Sequence, residues 1–248
     1  MFNSSSFKTF KIASFLICIV FFNSCKKETL LAFSETTILE ENETFIEVNI
    51  PKAEGGSDVA KKINETLNSF GCSVLNIDAS QEKKSTIEES IIAFNEAYKA
   101  FNKLLISEFP DDFPRWEALV DGEVSYQDEN LVSIAMNGVV NTGSASSNMV
   151  FKFLNFDLSN GKSLSTEDLI NNTEGFKDLV QKYYIKELIT SQKEGTAIES
   201  ENFKLPETLG FNEDGVIIIY DNFEFGNFTK ELIEFTIPYG IANPYLTF

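Results

Sequence analysis

Apolar and polar side chains alternate in two consecutive stretches of the chain, residues 131–140 and 149–158. A period of two residues is typical of strands, because successive side chains of a strand point to opposite faces of its sheet. The residues between the two stretches, 141–147, are small and polar, so a β-hairpin is predicted here. The second strand is expected to end at 159–161, because asparagine and glycine tolerate the positive φ of a turn.

Three further stretches have apolar positions three or four residues apart, the spacing of an amphipathic helix with one buried face. They begin at Ser57, Ser85 and Thr173. Ser57 is a favoured N-cap residue, and Ser85 with Glu88 forms a capping box. Ser165 with Asp168 has the same spacing and predicts one more helix start directly after the hairpin.

The remaining apolar runs predict further strands. They lie at 46–50, 116–126, 216–220 and 231–239. Hairpin strands mixed with helices are typical of an α+β fold. We therefore expect mixed, mostly antiparallel sheets with packed helices, arranged in two intimate α/β subdomains.

The N-terminus has the layout of an export signal. Two lysines precede an apolar run at 12–22, which is shorter than the roughly 20 residues that a membrane-spanning helix needs. The run ends in Phe-Asn-Ser-Cys, which resembles the site where a bacterial lipoprotein is cleaved and lipidated, here on Cys25. We expect a signal peptide at 1–24, a short lipid-anchored tether at 25–34, and a place in the cell envelope at the outer membrane. The positions two and three before the cysteine lack the usual small residue and leucine, so plain secretory cleavage is the alternative.

Charge limits the partners. The chain has 20 basic and 38 acidic residues, a net charge of −18, and loss of a leader with two lysines and no acids leaves 18 against 38, or −20. Phosphate binding needs a basic stripe, and none is visible, so nucleic acid is disfavoured. The acids are scattered, as on a solvated surface or on one that attracts a cationic partner.

Residue types also exclude several kinds of catalysis. The chain has no histidine, so Ser-His-Asp and Cys-His systems and histidine-rich metal sites are excluded. Neither a P-loop nor a dinucleotide fingerprint is present, and no cofactor or metal is expected. Paired carboxylates remain, since glycoside hydrolysis needs only two acids across a sugar. Asp111 and Asp112, however, lie in a proline-flanked turn, where aspartate commonly bonds to the backbone.

The number of cysteines determines whether a disulfide can form. Cys18 lies in the leader and Cys25 is the expected lipid site, which leaves Cys72 alone and rules out an intramolecular disulfide. Cys72 is predicted to be a small buried residue.

Several segments carry a resemblance to known domains. FLNFDLSNGKSLSTEDL at 153–169, FNEDGVIIIYDNFEFG at 211–226 and IEFTIPYG at 233–240 resemble domain of unknown function 3298. IPKAEG and AKKINETL, within 50–67, are similar to the companion domain of unknown function 4163. The resemblance implies an N-terminal domain over 35–140 and a C-terminal domain over 141–248.

This domain pair occurs in the extracytoplasmic part of the RsiV-type, lysozyme-sensing anti-sigma factor and beside the catalytic domain of a peptidoglycan deacetylase, and many members are lipoproteins. The family often has a Gly-Gly-Ala-His turn between the two central strands. Here the matching residues are Gly143, Ser144, Ala145 and Ser146, so the role of that histidine is not carried over. Signalling across the membrane is not expected either, since the spanning helix and cytoplasmic segment of the anti-sigma factor have no counterpart.

Together these observations favour a non-catalytic binding or sensing module of the cell envelope. The expected partner is a cationic protein such as lysozyme, or a wall glycan. The alternative is a carboxylate-based hydrolase or an accessory domain acting on cell-wall glycan. The ligand is expected at the loops 141–148 and 221–227. The candidate ligand-facing residues are Asn141, Gly143, Ser146, Asn148, Tyr220, Asp221, Phe223, Glu224 and Gly226.

Overall fold

The computed structural model describes residues 30–78, 83–105, 114–144, 147–190, 203–220 and 232–248. These residues form two β-sheets with helices packed against them, which confirms the α+β class. None of the described helices combines the length and the apolar character needed to cross a membrane. The expected leader, Cys25, Asp111 and Asp112 lie outside the described residues, and what the sequence says of them stays a prediction.

The larger sheet has six strands among the described residues, in the spatial order β1-β2-β3-β4-β5-β6. They are β1 Phe33–Glu40, β2 Phe45–Ala53, β3 Glu117–Gln127, β4 Leu131–Asn141, β5 Asn148–Asp157 and β6 Lys162–Leu164. Neighbouring strands are antiparallel except β2 and β3, which run parallel. The predicted hairpin is confirmed as β4–β5. β1 begins at Phe33, so the last two residues of the tether expected at 25–34 belong to the sheet instead.

Two helices connect β2 to β3. They are α1, Asp58–Leu75, and α2, Ile87–Leu105. The Ser57 side chain accepts a hydrogen bond from the Ala60 N–H at 3.1 Å, which confirms the predicted N-cap of α1. The apolar positions predicted to face inward do so, since Ile63 and Leu67 are buried. This places α1 over the large sheet.

The capping box expected at Ser85 and Glu88 is wrong by one residue. The Thr86 hydroxyl accepts from the Glu89 N–H at 3.2 Å, and the Glu89 carboxylate accepts from the Ser85 N–H at 3.2 Å. Ile87 is both the first residue of α2 and a buried one. Thr86, directly before it, is therefore the N-cap residue. Serine and threonine are both favoured N-cap residues, so the burial of Ile87, and not the residue type, determines which of the two caps the helix.

The smaller sheet follows the large one in sequence. It is antiparallel, in the order β7-β8-β9, with β7 Gly210–Phe211, β8 Gly215–Tyr220 and β9 Ile233–Pro238. The helices of this part are α3 Thr166–Leu169, α4 Thr173–Thr190, α5 Tyr239–Ala242 and a 3-10 helix, Asn243–Tyr245. The capping box predicted at Ser165 and Asp168 is confirmed at the start of α3.

Buried apolar side chains form two cores. The first lies between α1, α2 and the large sheet, where Trp116 packs edge-on against Phe94 with ring centroids 5.6 Å apart. The second lies between α4 and the small sheet. β4 contributes to both, through Ile134 to the first and Leu131 to the second. The boundary expected between residues 140 and 141 falls at the last residue of β4, and strands from both sides of it pair in the large sheet.

The segment 203–211 ties the small sheet to the large one. The backbone N–H of Phe211 donates to the hydroxyl of the buried Ser133 on β4 at 3.3 Å. The side chain of Asn155 on β5 donates to the Leu209 carbonyl at 2.7 Å. The segment therefore lies beside β5, and this arrangement forms one wall of the cavity described below.

Candidate ligand-binding site

The β4–β5 turn brings three of the predicted ligand-facing residues together. Asn141 ends β4, and its Oδ1 accepts from the Gly143 N–H at 2.9 Å. Gly143 has a φ of +83°, a left-handed conformation that glycine adopts without strain. Asn148 begins β5 beside a depression of about 310 Å³ between α1 and the hairpin. The depression is lined by apolar side chains such as Val74 and Met149 and by polar ones such as Asn76 and Thr142, and its lining contains no charged side chain among the described residues.

Tyr220 does not face a ligand, contrary to expectation. Its side chain is only 1% exposed, and its hydroxyl donates to the Lys204 carbonyl at 2.8 Å. Its ring packs edge-on against Tyr184 and Phe203, with centroids 5.3 and 5.6 Å away. Alternation along β8 points Tyr220 into the second core, although the next residue begins a polar loop in the sequence. The other candidates, Ser146, Asp221, Phe223, Glu224 and Gly226, lie outside the described residues.

A cavity of about 730 Å³ opens at the β6 edge of the large sheet, where the sequence predicted no site. Its wall is built by β5, by β6 and α3, by the first turns of α4 and by the segment 203–208. The volume falls within the roughly 300–1,000 Å³ of small-molecule sites. Polar side chains from several of these elements reach it, so it can orient a polar ligand.

Asn155 is a buried polar residue of this wall. Leu154, the residue before it, packs against the first core. Asn155 is 2% exposed, and its Nδ2 donates to the Leu209 carbonyl. Its Oδ1 is closed to solvent and has no hydrogen-bond partner among the described residues, which costs roughly 1–3 kcal/mol. Asn155 therefore contributes to the wall through its bond to Leu209.

Three contacts hold the opposite wall in place. The Lys152 ammonium lies 2.6 Å from Oε1 of Glu207. The hydroxyl of Thr166, which is 7% exposed, donates to the Glu207 carbonyl at 3.0 Å. The Thr208 hydroxyl accepts from the Phe153 N–H at 3.1 Å. Because these contacts within the chain hold the wall in place, the cavity exists without a bound ligand.

The third wall is the start of α3. The Ser165 N–H donates to the Asp168 carboxylate at 3.0 Å, and the Asp168 N–H donates to the Ser165 hydroxyl at 3.3 Å. The Lys162 ammonium donates to the other Asp168 oxygen at 2.8 Å. The bond from Lys162, followed by that from the Ser165 backbone, lowers the pKa of Asp168 to about 2. Asp168 is therefore an ionised structural carboxylate.

Two lysines of the wall form no ion pair with a described residue. They are Lys177 on α4 and Lys204. Among the acids that the structure describes in the wall, Asp168 and Glu207 are each paired with a lysine, and Glu167 is not. The described part of the wall thus holds two unpaired ammonium groups and one unpaired carboxylate, in a chain whose net charge is −18.

The arrangement suits binding through hydrogen bonds and charge. In the part of the chain that the structure describes, no three His, Cys, Asp or Glu side chains converge as a metal site would require. Sequence reasoning missed Asn155, although one signal was present: a polar residue at an inward position of the apolar strand FLNFDL. Lys204 carried no such signal, because the fold alone places it at the cavity.

The fold and the cavity define an α+β protein with a polar cavity. Residues 38–149 match a family model described as Deacetylase PdaC. No curated protein matches the chain.

Solved structures share the fold over nearly the whole chain. A member of the DUF3298 family from Bacteroides fragilis NCTC 9343 aligns with a TM-score of 0.66 and 18% identity, covering 88% of this chain and 94% of that one. A DUF3298 family protein from Pseudomonas aeruginosa PAO1 aligns with a TM-score of 0.60 and 16% identity, over the same shares. The chain therefore has the fold of these two DUF3298 family structures, and the match to the model described as Deacetylase PdaC is confined to residues 38–149. The companion domain of unknown function 4163 and the RsiV-type pairing stay predictions.

Proposed function

We propose that the protein is a non-catalytic binding module of the bacterial cell envelope, anchored by lipid on Cys25, with the cavity beside Asn155 as its ligand site. The observation that carries the proposal is the cavity of about 730 Å³, because several elements bring hydroxyl, ammonium and carboxylate groups to its wall.

Catalysis by carboxylates fits this cavity poorly. Glycoside hydrolysis needs one acid with a raised pKa opposite a second carboxylate. The pKa of Asp168 is instead lowered to about 2 by its bond from Lys162. Glu207 is paired with Lys152. The deacetylase description belongs to the match over 38–149, and the whole cavity wall lies beyond that range. Binding is therefore favoured over the hydrolase alternative.

A wall glycan suits the cavity best as ligand. Sugar rings carry several hydroxyls that both donate and accept hydrogen bonds, and an N-acetylated sugar adds an amide N–H. The hydroxyls of Ser163 and Ser165 line the same wall and add groups that both donate and accept. Concave polar sites of this size orient small ligands by a few such groups.

Titration of the mature protein with soluble wall fragments tests the proposal. We expect the amide resonances of residues 163–168 to shift on binding, and Ser163→Ala to weaken binding by up to about tenfold, which is the effect of one hydrogen bond. Asn148→Ala, at the opposite hairpin, is the matched control and should bind as the unchanged protein does. If Asn148→Ala weakens binding and the cavity variant does not, the ligand site lies at the hairpin instead. Released sugar or acetate that disappears in Asp168→Asn would instead establish catalysis.

A cationic protein such as lysozyme is the second candidate. The net charge of −18 favours it, because an acidic surface speeds encounter with a basic protein. Association should then be markedly faster at low ionic strength than at about 0.15 M, where screening acts within about 8 Å. A pull-down at both salt concentrations, with sonicated wall as competitor, separates the two partners.

A further inference from the structure

We infer that the face of the large sheet opposite α1 is a docking surface for a basic amphipathic helix of another polypeptide. The inference goes beyond the proposed function, because none of the residues that form this surface lines the cavity. It rests on a row of exposed apolar side chains and on the acidic residues that flank the row.

Strand register brings the apolar row together. Five neighbouring strands contribute one residue each, in the order Leu39, Glu47, Leu119, Val139 and Met149. The next residues along β3 and β4, Val120 and Val140, belong to the first core, so the row points away from α1. Leu39, Leu119 and Met149 are 56%, 40% and 61% exposed. Single exposed apolar side chains are common, but several in one row are a mark of an interaction surface.

The small sheet covers only the other end of this face. The Phe211 N–H donates to the Ser133 hydroxyl on β4, and a Cβ at Gly210 would meet the ring of Phe153 on β5. Ser133 and Phe153 lie on the same face as the row but further along their strands. The row is therefore the uncovered end of a sheet face that is packed elsewhere.

Acidic residues flank the row. On β3, Leu119 lies between Glu117 and Asp121, and Glu123 follows on the same face. These three acids are exposed, and Glu47 lies within the row beside Leu119. None of the four carboxylates forms an ion pair with a described residue. The surface thus combines apolar side chains with uncompensated negative charge.

This charge selects the partner. A second copy of the chain would place the same carboxylates against each other, and an anionic lipid surface would be repelled as well. The nearby Arg115 does not offset the charge of the row, since its guanidinium lies over the Phe45 ring, 5.4 Å from the centroid. A polypeptide that carries lysine or arginine beside its apolar residues matches both parts of the surface.

The dimensions of the row fit a helix. Neighbouring strands are about 4.8 Å apart, so the row spans roughly 19 Å, and its part from Leu119 to Met149 roughly 10 Å. A helix rises about 1.5 Å per residue, so about 13 residues cover the row and apolar residues seven positions apart match the shorter distance. Glu117 and Asp121 then lie on opposite sides of the helix axis, where basic residues beside the apolar stripe can reach them.

Two synthetic helical peptides of about 14 residues test the inference. One has leucine along one helical face and lysine elsewhere, and the other has glutamate in place of every lysine. Fluorescence anisotropy gives their affinities for the mature protein, and amide NMR shifts locate the binding surface. We expect the lysine peptide to bind and to shift the amides of residues 117–121, 137–139 and 149–151. The glutamate peptide should not bind.

Variants of the row provide the second measurement. Leu119→Thr removes apolar contact area and keeps a residue that strands favour, and Asp121→Asn removes one exposed carboxylate. We expect the first to weaken binding of the lysine peptide about fivefold and the second by up to about fivefold. Ile92→Gln and Glu213→Gln are the matched controls, because both residues are exposed on other elements. They should bind the peptide as the unchanged protein does.

Three outcomes would overturn the inference. Control variants that weaken binding as much as those of the row would mean that the peptide binds the acidic surface without a site. Absence of binding, or equal binding of the glutamate peptide, would contradict selection by charge. A dimer that Leu119→Thr dissociates in sedimentation would assign the face to a second copy of the chain. Ser163→Ala should leave peptide binding unchanged, so the result is independent of the cavity.

Discussion

The side-chain amide of Asn155 donates to the backbone carbonyl of Leu209 at 2.7 Å, while the oxygen of the same amide is buried without a partner among the described residues. Asn155 therefore fastens the segment 203–211 to β5, and changes at this residue act first on stability.

Asn155→Asp tests the structural half of that amide. It keeps the shape but places a second acceptor against the Leu209 carbonyl, so at neutral pH we expect a loss of about 3–5 kcal/mol in the free energy of unfolding. Burial raises the folded pKa of the new carboxyl above its unfolded value of about 3.9, and the protonated acid can donate to Leu209. The loss should thus vanish below about pH 4 and grow as pH rises. Urea unfolding of variant and parent from pH 3.5 to 7 measures it, with the exposed Asn148→Asp as control. A difference in the free energy of unfolding that does not change with pH would contradict the hydrogen bond from Asn155 to the Leu209 carbonyl.

Gly215→Ala should be among the most damaging single-methyl changes. Gly215 begins β8 opposite Pro238, and a Cβ there would collide with the backbone carbonyl oxygen of Ile237. Because the obstacle is backbone in a paired strand, relief requires opening the ladder, and we expect a loss of about 2–4 kcal/mol in urea unfolding. Gly240→Ala is the control, since a Cβ there meets nothing within 4 Å and alanine favours a helix. Equal effects at both positions would contradict the close approach of β8 and β9.

The ionisation of Asp168 is measurable by NMR titration of its carboxyl carbon. We expect a midpoint of about 2, below the ordinary 3.8, chiefly because the Lys162 ammonium bonds to it. A lowered folded pKa means that its contribution to stability is fully present above pH 3.8 and is lost as pH falls through about 2. Lys162→Gln should raise the midpoint, whereas Lys61→Gln, whose ammonium lies 3.3 Å from Asp58 instead, should not. A midpoint near 3.8 in the unchanged protein would argue against the ion pair.

Cys25→Ser tests the expected lipid anchor. Without the sulfur that carries the lipid, the protein should no longer label with palmitate and should remain an uncleaved precursor. Cys72→Ser is the control and should label normally, because Cys72 is a buried residue of the first core. Continued labelling and membrane retention of Cys25→Ser would mean that another residue or another mechanism anchors the protein.

Sequence periodicity predicted those parts of the fold that local patterns determine. The β4–β5 hairpin and the caps at Ser57 and Ser165 depend on residues close together in the chain, so the sequence contained them in full. β6 has three residues, too few to show a period. Tyr220 was misjudged because its burial depends on α4 and Phe203, which approach it only in the folded state. The cavity at Asn155 was missed for the same reason, since its walls come from four separate parts of the chain.

The parallel pairing of β2 with β3 has a consequence for the order of folding. Most other neighbours in the large sheet are joined by short turns, so their loops close quickly. Phe45 meets Glu117 only after the chain has passed through both α1 and α2, and closing so long a loop carries a larger entropic penalty. We therefore expect the β3–β6 meander to assemble early and the pairing of β2 with β3 to form late. Until this pairing forms, β2 and β3 each present an open strand edge, and this interval is when the folding chain is most exposed to intermolecular pairing.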